Sequence, residues 1–174
     1  MDNYITDRTL DDVDRVRHLR GIAWQNMTDE EREEWSSPMK GAYNHTDLNR
    51  VELAVSRIST ELKMSVVVKT NWTENDIPTK DQMQRYLDNV YAIRTKCPLP
   101  SIYPMPTRTM AGFDYEKAND IETTLLRCEQ TVNAVPRSGE LYMGELRDLY
   151  DKNGNKTNKN YRKGDQYEKE EKTK

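Results

Sequence analysis

The chain has 174 residues, enough for one domain with a modest core, and carries a formal charge of -3. Hydrophobic residues make up 34% and charged residues 33%. So polar a chain fits a small helical domain with thin cores or long polar connections, and so small a net charge implies no nucleic-acid partner.

The charge is uneven. Residues 151–174 hold 8 Lys/Arg and 5 Asp/Glu, a balance of +3 that leaves -6 on residues 1–150. The reading is a helical domain over 1–150 and a charged tail over 151–174, disordered unless a partner binds it. Cys97 and Cys128 have no metal-ligand spacing, so no structural zinc is expected. Two reduced thiols is the reading preferred, with a disulfide left open. No signal peptide or membrane-length apolar run is visible, which points to synthesis in the cytoplasm.

Taken in order, residues 1–7 form an entry segment in which Tyr4 and Ile5 can pack. Thr9 or Thr6 caps a helix running to about Trp24, with Leu10, Val13, Val16 and Leu19 or Ile22 on its apolar face. Asp11, Asp12 and Asp14 precede Arg15, Arg17 and Arg20, the charge order a helix dipole favours. Thr28 and Glu31 form a capping box for a short helix from Asp29 to about Trp35.

The central helix spans residues 46–63. Leu48, Val51, Val55, Ile58 and Leu62 are spaced 3-4-3-4 along one face, while Asn49, Arg50, Glu52, Arg57 and Glu61 fall largely off it. Residues 64–68, MSVVV, favour an extended crossing segment or edge strand. Trp72 then anchors the loop 69–78 or meets a partner. Thr79 and Gln82 box a helix that ends at about Lys96. Pro98, Pro100, Pro104 and Pro106 make residues 97–112 an extended connection.

The last strong helix opens at Phe113 or Asp114 and runs to about Val135. Ala118, Ile121, Leu125, Cys128, Val132 and Val135 repeat the seam spacing of the central helix, which suggests antiparallel packing of the two. Residues 137–150 hold turn signals and Leu141, Tyr142 and Met143. The fold expected is mainly α: a bundle of about four to five helices with a proline-containing connection, a possible short extended segment and a flexible tail.

No catalytic, cofactor or metal set is legible. His18 and His45 stand without partners in the pattern. A hydrolase would need paired carboxylates, and the candidates Glu30, Glu34, Glu116 and Glu122 are expected on solvated helix faces. The residues singled out for partner binding are Trp72, Leu141, Tyr142 and Met143.

Five blocks carry a resemblance. YITDRTLDDVDRV, WQNMTDEEREEW, MKGAYNHTDLNRVELAV, KTNWTENDIPTKDQMQRYLDNV, and YEKANDIE with SGELYMGE follow one another across residues 4–146. In that order they resemble a family encoded in the tail and baseplate modules of phages and prophages of Gram-positive bacteria. The chain departs from it at 133–137, NAVPR. The resemblance implies a non-enzymatic structural part of a phage tail or tail-like particle, at the baseplate or fibre-attachment region. Its partners would be other tail or baseplate proteins, in multiple copies, and its place the virion. The alternative is an assembly adaptor or chaperone absent from the mature particle.

Overall fold

The computed structural model describes residues 4–103 and 105–134. The chain divides into two units, Met1–Ala134 and Val135–Lys174, and every described residue belongs to the first. Leu141, Tyr142, Met143, Val135 and the charged tail lie outside the described residues.

The described chain is mainly helical. Five α-helices, α1 (Leu10–Arg20), α2 (Asp29–Trp35), α3 (His45–Glu61), α4 (Lys80–Lys96) and α5 (Tyr115–Ala134), are joined by one 3-10 turn, Trp24–Asn26. No strand occurs among the described residues.

The helix starts follow from side chains that satisfy the first free N–H groups. Thr9, Thr28 and Thr79 each cap within a full capping box, closed by Asp12, Glu31 and Gln82. α3 begins one residue sooner than its sequence suggests, because Asn44 takes the cap and Asp47 completes the box. Asp114 accepts from the Lys117 N–H at 3.0 Å at the start of α5. The first helix stops at Arg20, before Gly21, and Trp24 lies in the 3-10 turn.

The core is made by α3, α4 and α5. Val51, Val55 and Ile58 of α3 meet Leu87, Val90 and Ile93 of α4 and Ile121, Leu125 and Cys128 of α5. α1 stays outside this core. It packs on α2, buries only Leu19, and leaves Leu10 half exposed. Its imperfect apolar period therefore covers no large surface.

α3 and α5 run parallel, not antiparallel. Arg50 meets Glu122 and Arg57 meets Glu129, a constant offset of 72 residues. α4 runs in the same sense: Tyr86 and Arg85 near its start reach Tyr43 and Glu52, and Cys97 at its end reaches Cys128. A 17-residue helix is about 25 Å long. Each connection must return that distance, which is why α3–α4 and α4–α5 need long links and no tight turn would serve.

Those links are held by side chains, not strand ladders. Val66 and Val68 pack on the core while Val67 points outward. The Val67 carbonyl accepts from Arg85 and from Asn89 Nδ2, so residues 64–68 are extended without a strand partner. In 97–113, Arg94 donates to the carbonyls of Pro100 and Tyr103, and Arg108 reaches Asp88 at 3.0 Å.

Candidate functional site

The strongest concentration of chemistry is a cluster of four charges between the N-terminal segment, α3 and α5. Arg8 Nη2 donates to Asp47 Oδ1 and to Glu122 Oε1, each at 2.7 Å. Arg50 donates from Nε to Glu122 Oε2 and from Nη2 to Oε1, both at 2.8 Å, and also pairs with Asp47. The Ile5 N–H donates to Glu122 Oε2 at 2.8 Å. Glu122 thus accepts four hydrogen bonds, and its side chain is 0% exposed. Two guanidinium and two carboxylate groups cancel, which lets the cluster sit inside the protein.

This overturns the solvated placement expected for Glu122. The signal was present: Glu122 lies four residues after Ala118 and three before Leu125, within the apolar stripe of α5. Glu52 holds the same place between Leu48 and Val55, and it too is buried, paired with Arg85. The seams are broader than five residues because α3, α4 and α5 all pack on one another. Of the other carboxylates considered, Glu30 and Glu116 are exposed, and Glu34 binds Arg15 at 2.7 Å.

Above the cluster, the Tyr43 and Tyr86 hydroxyls share a hydrogen bond. Burial pushes both phenols up, away from ionisation. Arg8 also lies over the Tyr43 ring, 5.5 Å from its centroid, and Phe113 meets that ring edge-on at 5.1 Å. A cleft of about 340 Å³ opens beside them, lined by Arg8, Val13, Tyr43, Phe113, Tyr115 and Ala118.

Asparagines supply a second device. Asn119 accepts from the Arg8 N–H at 3.0 Å and donates to the Arg8 carbonyl at 2.9 Å. Asn49 does the same to Trp72, at 2.8 Å in both directions. One amide side chain pairs with one residue of extended backbone, as a neighbouring strand would.

Trp72 is consequently a core residue, 3% exposed, with Lys69 Nζ 3.9 Å from its ring centroid. It anchors its loop and offers little surface to a partner. Among the described residues the exposed large apolar side chains are others: Leu10, Trp24, Trp35, Leu53, Val67, Ile77, Ile102 and Met105. Apart from Leu10, charged and polar neighbours gave the sequence no seam to mark them.

No family model, curated protein or solved structure matches this chain. Among the described residues no group of three His, Cys, Asp or Glu could hold a metal ion, and no helix is long and apolar enough to cross a membrane.

The cluster has no free acid or base to offer a substrate. Its four side chains form a charge-neutral lock that fixes where residues 4–9 lie on α3 and α5.

Proposed function

We propose that this chain is a non-enzymatic structural component of a phage tail or tail-like particle, acting through protein–protein contacts at the baseplate or fibre-attachment region. The tail assignment rests on the ordered resemblance across residues 4–146. The observation that carries the non-enzymatic half is the use made of Glu122. This carboxylate, 0% exposed, is consumed by Arg8, Arg50 and the Ile5 N–H. Glu52 is consumed in the same way by Arg85.

In this reading α1 to α5 make a small bundle, with the proline-containing connection laid over it, and the bundle is a rigid platform. Contacts fall to exposed apolar side chains such as Trp24, Ile77 and Ile102 and to the segment holding Leu141, Tyr142 and Met143. Repetition by the symmetry of a particle would let modest contacts suffice. Mass spectrometry of purified particles tests the proposal. The chain should be present in a fixed ratio to the known tail proteins. Its absence from intact particles, with co-purification on an unassembled tail protein, would replace this reading with that of an assembly adaptor.

A further inference from the structure

Cys97 and Cys128 are the chain's two cysteines, and both are free and buried. Cys97 closes α4. Its N–H donates to the Ile93 carbonyl at 2.8 Å, and its backbone has already left helical angles, with φ -77 and ψ 128. Cys128 lies inside α5, in the same core as Leu125. The Cys97 thiol points at the Cys128 carbonyl oxygen at 4.0 Å.

The Cys97 thiol therefore meets α5 at Cys128, across the α4–α5 junction, from a helix end whose backbone has already left the helix. Cys97 leads directly into a turn at the surface. Pro98, Ser101 and Ile102 are exposed, and the turn they belong to is held by Arg94 through the Pro100 and Tyr103 carbonyls.

We propose that Cys97 and Cys128 are an oxidisable pair that closes to an intrachain disulfide under a peroxide, stapling the end of α4 to α5. The Cys97 thiolate attacks one peroxide oxygen and the O–O bond breaks. The departing hydroxide takes up the thiol proton and leaves as water, with Cys97 now a sulfenic acid. The Cys128 thiol then attacks the sulfenic sulfur, the S–S bond forms, and the S–O bond breaks to give a second water. Both sulfurs are oxidised and both peroxide oxygens are reduced. The order of attack follows from the surroundings. The Cys97 thiol is held below its ordinary range by the hydrogen bond from Cys128 and by the Arg94 charge, whereas the same pairing and burial push Cys128 up.

The full chain treated with hydrogen peroxide under native conditions tests this directly, since no third cysteine exists. Thiols counted after denaturation should fall from two to none. The monomer mass should drop by two hydrogens, and dithiothreitol should reverse both changes. Cys128→Ser should stop at a Cys97 sulfenic acid that dimedone traps. The cross-link closes a loop of 31 residues, for which closure entropy lowers the unfolding constant on the order of several hundredfold. Retention of both thiols, further oxygenation of each sulfur, or cross-links only between chains would overturn the pairing. So would a disulfide that forms only in urea. An oxidised monomer that unfolds as readily as the reduced one would overturn the staple.

Discussion

At Glu122 the cost of losing one side chain depends on what stays behind. Glu122→Ala would leave Arg8 and Arg50 beside a single Asp47, with Arg8 almost wholly buried. Breaking a buried pair in this way destabilises by about 3–5 kcal/mol. Glu129 sits two turns further along α5 and pairs with the more exposed Arg57, so Glu129→Ala should cost less. Urea denaturation of the two variants measures the difference, and equal losses would show that burial of the cluster is not what matters. A second residue reads out by pH. The Lys69 ammonium holds the Asp76 carboxyl down, as do the Thr73 N–H and hydroxyl, to about 2 from 3.8. Stabilisation from such a group is complete above its unfolded value and disappears as pH falls through its folded one. Asp76→Asn should therefore be less stable than the parent above pH ~4, and the gap should close toward pH ~2. Parallel curves of stability against pH for the two proteins would refute it.

Elements were legible wherever local chemistry decides them. The helix Lys80–Lys96 is bounded as the sequence implies, since Thr79 and Gln82 fix its start and Pro98 bars it from continuing. Val55 is 1% exposed, on the stripe the spacing marks. Val55→Asp should bury an unpaired charge and abolish folding, seen as loss of the cooperative thermal transition. What sequence could not give was partnership at long range. Helix α5 does not announce that Glu122 will meet Arg8, 114 residues earlier, nor that Asn119 will grip extended backbone. MSVVV has strand composition, yet no edge lies beside it and side chains take its carbonyl. Asn119→Ala removes both hydrogen bonds to Arg8 and should cost about 1–3 kcal/mol. Hydrogen exchange should then accelerate at residues 5–9 and remain slow at Trp72, whose clamp is Asn49. Equal acceleration at both places would mean that the clamps do not act locally.

For the molecule as a whole, the parallel run of α3, α4 and α5 sets the proportions of the chain. Three helices pointing one way require two long returns, and polar side chains of the helices and links tie those returns down. Arg85, Asn89, Arg94 and Arg108 all hold carbonyls or carboxylates of a link or its neighbouring helix. A low hydrophobic fraction is thus compatible with a well-packed interior, because the apolar residues are concentrated on three seams.

The attachment of residues 4–9 also has a consequence for synthesis on the ribosome. Tyr4, Ile5 and Arg8 find their partners in Glu129, Glu122 and Asn119, between 111 and 125 residues later. At ~5–20 residues per second, these residues must wait on the order of ten seconds before the surface that receives them has emerged. This segment is therefore made well before the surface that fixes it, and a truncated product ending before α5 would leave it unplaced.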